Sequence, residues 1–214
     1  MNTAGIAAWS LVGILAAGCL RLVIQRFALL PAGMSRLAPP AVPEVVTAAL
    51  FAALAWRIGA ESVLVAYSWL AAAGVVLATI DWNVRELPTR LVWPVAILLA
   101  GLFIAVAAVN QDAQPLARAA AGMLMLLGFY GAIYFVRPGQ LGGGDLRLGG
   151  LLGLALGWIN WTAIFLGTLF GWLAAAVAVL AVRLVRQPES GHEVPLGPFL
   201  MCGAFVAILA GPTI

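Results

Sequence analysis

Hydrophobic residues form eight long runs along the chain, and arginines, prolines or acidic residues separate one run from the next. About 20 apolar residues span a bilayer as an α-helix, so most of these runs are long enough to cross one. We place the segments at residues 5–24, 43–60, 62–80, 91–109, 116–136, 146–158, 160–182 and 195–212. The pattern predicts an all-α protein, a polytopic transmembrane helix bundle with about eight membrane segments.

The sixth segment, residues 146–158, differs from the others in length. Its 13 positions cover about 20 Å at ~1.5 Å per residue, which is less than the ~30 Å hydrocarbon layer. We therefore expect this segment to be shielded by neighbouring helices, to be partly re-entrant, or to continue back through the glycines that precede it.

Small residues indicate how the helices pack. Gly149, Gly153 and Gly157 recur every four positions, and Gly167 and Gly171 repeat this spacing in the next segment. Such spacing permits close approach of helix backbones within a membrane bundle. No internal repeat or separate soluble region interrupts the pattern, so we expect one transmembrane domain over residues 1–214.

The composition agrees with this class of protein. Of 214 residues, 64% are hydrophobic and only 9% are charged, which is outside the range of soluble globular domains. The net charge of +3 comes without any basic cluster interleaved with aromatics, so we expect no nucleic-acid partner. Cys19 and Cys202 lie far apart within apolar segments, which favours buried, inert thiols over a disulfide or a zinc site.

The arginines predict the orientation of the chain in the inner (plasma) membrane. With the amino terminus outside, nine of the eleven arginines lie on the cytoplasmic side, and only Arg57 and Arg118 lie outside. Both termini are then external. No positive charge precedes the first apolar run, so we expect that segment to be a membrane helix and not a cleaved export signal. Asp81, Asp145 and the stretch Pro195–Phe199 all come to the cytoplasmic face.

Asp81 and Asp145 are the candidates for chemistry. An acidic residue at or within an apolar segment is costly and is a functional candidate by default, although both residues could simply mark helix ends. The glycines at 142–144 allow an extended backbone to approach Asp145 closely. Two carboxyl groups at short range cannot both ionise, which is the arrangement that paired-carboxylate peptide hydrolysis requires.

The residues around these acids resemble those of the type IV prepilin leader peptidases, which are membrane aspartyl proteases with a GxGD motif. Asp81 stands seven residues before Pro88, and Asp145 closes the sequence Gly142–Asp145, as in that family. The stretch Val194–Phe199 is similar to the proline-glycine-proline sequence that opens the family's last helix.

The resemblance implies an aspartic endopeptidase with Asp81 and Asp145 as its catalytic residues and with no cofactor or metal. Its substrates would be prepilins or pseudopilins of a type IV pilus or protein-secretion system. They carry a basic leader that is cut after a glycine at the cytoplasmic membrane face. The supporting residues that the motifs imply are Gly142, Gly144, Arg147, Pro88, Pro195, Gly197 and Pro198.

Two departures from the family pattern limit what the resemblance implies. Arg147 stands where the family usually has lysine, which keeps the positive charge but changes the hydrogen-bonding geometry. Many family members also carry two cysteine pairs after the first helix and methylate the new amino terminus. The corresponding loop, Arg26–Val42, contains no cysteine, so we expect peptidase but not N-methyltransferase activity.

Three other functions fit parts of the pattern. A small multi-pass transporter would also have many apolar helices, but repeated halves and polar groups near the bilayer midplane are typical of transporters. An inactive pilus or secretion assembly protein would share the fold without needing the acid pair. A sister protease would cut archaellin-type or other leaders. Substrate flux in proteoliposomes would distinguish the transporter, and cleavage of a leader would distinguish the proteases.

Overall fold

A computed structural model of the chain describes residues 1–26, 42–84, 87, 89–137, 141–185 and 195–211. All regular secondary structure in these residues is α-helical, and each of the eight predicted segments corresponds to one helix. In chain order they are α1 (Thr3–Arg26), α2 (Val42–Ile58), α3 (Val63–Val84), α4 (Thr89–Asn110), α5 (Gln114–Val136), α6 (Gly143–Ile159), α7 (Trp161–Val185) and α8 (Gly197–Ala210). The all-α prediction is confirmed.

Five of these helices, α1, α3, α4, α5 and α7, are long and apolar enough to cross a membrane. Helix α8 is apolar but shorter, with 14 residues. The outer surface carries large apolar side chains such as Leu15, Phe135 and Leu184, each more than two thirds exposed. Such a surface suits contact with lipid, so the chain is a polytopic helical membrane bundle.

Helix α6 occupies the centre of the bundle. It contacts α4, α5, α7 and α8, and every residue from Leu148 to Ile159 is buried. The helix begins at Gly143, so it continues back through two of the three glycines and reaches 17 residues, or about 26 Å at ~1.5 Å per residue. The predicted shielding of this short segment by its neighbours is confirmed.

Glycines bring the backbones of neighbouring helices into direct contact. A Cβ atom on Gly153 of α6 would lie 2.8 Å from the carbonyl carbon of Gly122 in α5. A Cβ atom on Gly203 of α8 would lie 2.6 Å from the Cα atom of Gly171 in α7. Both distances are too short for any side chain larger than hydrogen. The close packing predicted for Gly153 and Gly171 is confirmed.

The two arginines predicted to lie outside bind the carboxyl-terminal ends of α6 and α8. Their guanidinium groups satisfy carbonyl oxygens that have no partner within the helix, and they oppose the negative end of the helix dipole. The acceptors are Gly157, Trp158 and Ile159 for Arg118, and Leu209 and Gly211 for Arg57. These contacts hold α6 and α8 at the ends away from Asp145 and Gly197.

The cysteines are not where the sequence predicts them. Cys19 on α1 and Cys202 on α8 are both exposed on the surface of the bundle, so the prediction of buried thiols is wrong. Because lipid is as apolar as a protein core, a residue in an apolar run can face either one.

Candidate active site

Asp81 lies in the last turn of α3 and is only 3% exposed. One of its carboxylate oxygens, Oδ2, accepts a hydrogen bond of 2.9 Å from the backbone N–H of Gly197. A Cβ atom at position 197 would lie 2.6 Å from this oxygen. Because only glycine leaves room for the carboxylate, the start of α8 is adapted to hold Asp81.

The sequence around Gly197 explains why its N–H group is available. Pro198 lies in the first turn of α8, where a missing N–H group costs nothing and the fixed φ angle suits a helix. The N–H groups at the start of a helix have no acceptor within it. Pro195 precedes the helix and Pro198 lies inside it. The two prolines therefore flank the Gly197 N–H group, which donates to Asp81.

Asp145 lies in the first turn of α6, a position where the helix dipole favours a negative charge. Its backbone N–H group donates to the carbonyl oxygen of Gly142, 3.0 Å away. Gly142 is the only extended residue of the three glycines, with φ −68° and ψ 144°, because α6 already begins at Gly143. The expected extended glycine stretch is therefore wrong for Gly143 and Gly144.

Leu87 packs between the two parts of the site. A Cβ atom on Gly144 would lie 3.1 Å from the Leu87 carbonyl carbon, and one on Gly197 would lie 2.8 Å from Leu87 Cδ1. Leu87 is 8% exposed and therefore fills the space between the starts of α6 and α8. Since Gly144 precedes Asp145 and Gly197 binds Asp81, the two acids lie around one buried leucine.

The two carboxyl groups interact electrostatically. Burial raises the pKa of the Asp145 carboxyl group, and the negative charge of Asp81 raises it further. A hydrogen bond from the Gly142 backbone to this carboxyl group acts in the opposite direction. The Oδ1 atom of Asp145 is buried and has no hydrogen-bond partner among the described residues. The arrangement favours one protonated and one ionised carboxyl group.

The remaining predicted site residues divide into three groups. Arg147, in the second turn of α6, donates from Nη1 to the Gly143 carbonyl oxygen at 2.8 Å, so its guanidinium group lies against the start of the helix. Gly142, Gly144, Pro195 and Pro198 lie beside the acids as described above. Pro88 lies outside the described residues.

Leu87 is the site residue that the sequence analysis missed. The available signal is its position as an apolar residue between Glu86 and Pro88, in a short connection between two membrane helices. Such a residue is usually buried against the ends of the helices it joins. The fold and this site together define a polytopic membrane protein with a pair of interacting, largely buried carboxylates where three helix ends meet.

Comparison with known proteins identifies the family. Residues 64–185, which include Asp81 and Asp145, match the model of the type IV leader peptidase family. The chain belongs to this family. No solved structure matches the chain at a significant level.

Several curated relatives carry the name prepilin leader peptidase/N-methyltransferase. The protein from Bacillus subtilis (strain 168) is 33% identical over 80% of this chain and 66% of its own length. Those from Stutzerimonas stutzeri and Pseudomonas aeruginosa are 31% and 30% identical, over 75% and 80% of this chain and 55% and 58% of their own lengths. The chain thus spans between about half and two thirds of the relatives it matches.

Proposed function

We propose that this protein is an aspartic endopeptidase that removes the basic leader from prepilin-like or pseudopilin substrates. The observation that carries the proposal is the pair formed by Asp81 and Asp145, two largely buried acids that interact across the space around Leu87. Family membership and the names of the relatives support the reaction class.

The chemistry requires one carboxylate and one carboxylic acid. The carboxylate accepts a proton from a water molecule, whose oxygen attacks the carbonyl carbon of the scissile peptide bond. The carboxylic acid donates its proton to the carbonyl oxygen, which gives a tetrahedral intermediate. When the C–N bond breaks, the leaving nitrogen takes a proton from the pair, so the products are a leader carboxyl group and a new amino terminus.

The protein contacts of the two acids suit this division of work. The Gly197 N–H group stabilises negative charge on Asp81 and fixes the orientation of its carboxylate. The Oδ1 atom of Asp145 has no protein donor among the described residues, which leaves it available to water or to a substrate carbonyl group. The low polarity around both acids strengthens every charge interaction during the reaction.

The proposed substrate site lies at the cytoplasmic face of the membrane. The bias of arginines toward one side supports this orientation, because positive residues are retained in the cytoplasm. A substrate with a basic leader, a glycine and an apolar helix would then present its scissile bond at the depth of the two acids. We propose no N-methyltransferase activity, since the loop after α1 contains no cysteine.

The proposal is tested by leader cleavage in membranes that contain the protein and a co-expressed prepilin. Asp81→Asn and Asp145→Asn each remove one ionisable group and keep the shape of the side chain, so each variant should abolish cleavage. Asp112→Asn is the matched control, because Asp112 is exposed and accepts a local hydrogen bond from the backbone N–H group of Gln114. Cleavage that persists in either site variant, with normal membrane insertion, would refute the catalytic pair.

A further inference from the structure

Tyr130 of α5 borders the first turns of α6, which carry Asp145. The ring of Tyr130 covers Gly149, one helical turn after Asp145, where a Cβ atom would lie 2.6 Å from the Tyr130 Cε2 atom. One residue further along α5, a Cβ atom on Gly131 would lie 3.8 Å from the Cδ1 atom of Leu146. The two helices run antiparallel, so Tyr130 lies at the membrane depth of Asp145.

The hydroxyl group of Tyr130 is held in place by Trp172 of α7. The indole Nε1–H group donates to the Tyr130 hydroxyl oxygen at 3.2 Å, and the two rings stack with their centroids 6.3 Å apart and an angle of 12° between planes. Tyr130 is 1% exposed. Because the oxygen already accepts from Trp172, the O–H proton remains to be donated, and a buried donor needs an acceptor.

Asp145 offers an acceptor near this group, since the Tyr130 ring packs one helical turn away from it, on Gly149. Tyr130 lies within range of the electrostatic influence of the Asp145 carboxylate. The Oδ1 atom of Asp145 is buried and lacks a donor among the described residues. No direct hydrogen bond joins the two side chains, so a contact between them needs a bridging water, which is enthalpically nearly as good as a direct hydrogen bond.

We propose that Tyr130, held by Trp172, is a positioning residue that donates a hydrogen bond through one water molecule to Asp145. The inference rests on the proposed protease function, since it assigns the hydroxyl group a role in preparing one member of the catalytic pair. A donor aimed at a carboxylate favours its ionised form and fixes its orientation. Tyr130 thereby opposes the effect of burial, fixes the orientation of Asp145 and makes it a stronger acid toward the substrate carbonyl oxygen.

In the part of the chain that the structure describes, the helices packed against α6 carry few charged groups at this end: Arg90 at the start of α4, Arg137 after α5 and Arg183 near the end of α7, all exposed. Asp81 approaches Asp145 from α3, and its charge acts against ionisation of Asp145. Helix α8 contributes no acidic, basic or histidine residue. On α6 itself, Arg147 donates to the Gly143 carbonyl oxygen. Removing the Tyr130 hydroxyl group therefore tests the proposed effect on Asp145 without changing any of these charges.

Tyr130→Phe is the variant that tests the proposal, because it removes the hydroxyl group and keeps the ring that packs on Gly149 and Trp172. Its matched control is Tyr134→Phe, which removes a hydroxyl group from a partly exposed tyrosine one turn further along α5. With a purified prepilin substrate, Tyr130→Phe should lower kcat about three- to tenfold and leave KM nearly unchanged. The basic limb of its kcat profile should move up by about 0.5–1 pH unit, since a contact through water is worth less than a direct hydrogen bond to a charged group.

Trp172→Phe provides a second variant, which keeps the Tyr130 hydroxyl group but removes the indole N–H group that holds it in place. It should shift the basic limb in the same direction by a smaller amount, while Tyr134→Phe should leave it in place. If Tyr130→Phe is folded and matches the wild-type pH profile, the proposal is refuted even though the protein cleaves prepilins.

Infrared titration of the purified protein tests the same contact without substrate. The carboxylic acid band of Asp145 is assigned by its loss in Asp145→Asn, and its midpoint is compared between wild type and Tyr130→Phe. A higher midpoint in Tyr130→Phe supports the contact, and an unchanged midpoint overturns it. Failure of the wild type to cleave any prepilin would instead refute the proposed function, and the infrared midpoint would still decide the role of Tyr130.

Discussion

The backbone N–H group of Gly197 donates a 2.9 Å hydrogen bond to Asp81, a residue 116 positions earlier in the chain. The bond joins the last turn of α3 to the first turn of α8, so the carboxylate binds a helix start whose N–H groups have no acceptor of their own. This contact explains why a glycine lies between two prolines at the start of the last helix.

Gly197→Ala should therefore impair cleavage while the protein still inserts. The new methyl group would lie 2.6 Å from Oδ2 of Asp81, so either the carboxylate or the start of α8 must move. We expect initial cleavage rates to fall by about tenfold or more, the scale of a 1–3 kcal/mol packing conflict. Gly128→Ala is the control, because that glycine has open space around its Cα atom. Normal cleavage by Gly197→Ala would show that the contact is not needed.

Stability should depend on pH through Asp145. Its pKa in the folded state is raised above the ordinary value, so the folded state holds the proton more tightly than the unfolded state does. The wild type should lose stability as the pH rises from the ordinary pKa of an aspartate to the raised pKa of Asp145. Above the raised pKa the loss should level off.

The measurement is the unfolding temperature in detergent at a series of pH values. Asp145→Asn carries no titrating group at this position, so it should lack this component of the pH dependence and be the more stable protein at neutral pH. A wild type and an Asp145→Asn variant with parallel pH curves would contradict the raised pKa of Asp145.

Gly153→Ala tests the packing of the central helix. The added methyl group would lie 2.8 Å from the carbonyl carbon of Gly122, so α5 and α6 must separate. We expect a loss of about 1–3 kcal/mol in the free energy of unfolding, the usual range for an overpacked interface. Denaturant titration in detergent would measure it. Gly101→Ala, at a glycine with no atom in reach of a new Cβ, should change little.

Arg118→Gln tests the binding of the outer end of α6. The substitution removes a guanidinium group that donates to three carbonyl oxygens at that helix end. We expect about 2–3 kcal/mol of destabilisation, because these acceptors are left with fewer donors in an apolar setting. Arg183→Gln, at an exposed position on α7, is the comparison. Equal unfolding temperatures for the two variants would contradict the role of Arg118.

Much of the fold follows from the sequence. The hydrophobic runs predict all eight helices, because the need to satisfy backbone groups in lipid leaves helices as the only structure for such segments. The four-residue glycine spacing predicts the close packing of α6, since only glycine allows that approach. The arrangement of Asp81, Asp145 and Gly197 at one end of the bundle follows from counting the crossings between them.

Other features depend on three-dimensional contacts that one sequence does not reveal. The glycines at 143 and 144 join α6 because Asp145 suits a helix start, whereas glycine alone indicates an extended backbone. The packing of Leu87 depends on two distant glycines. The burial of Tyr130 against Trp172 likewise requires α5 and α7 to come together around α6, which the apolar pattern of either helix does not specify.

The central claim is that Asp81 and Asp145 occupy one pocket, and cross-linking tests it most directly. In a background with Cys19 and Cys202 replaced by serine, the pair Asp81→Cys and Asp145→Cys is treated with a short thiol-to-thiol reagent in native membranes. The control pair is Asp81→Cys and Asp112→Cys, since Asp112 lies beyond the carboxyl-terminal end of α4, at the other end of the bundle. We predict an internal cross-link for the first pair and none for the control. Two accessible thiols at 81 and 145 that fail to cross-link would contradict the shared pocket.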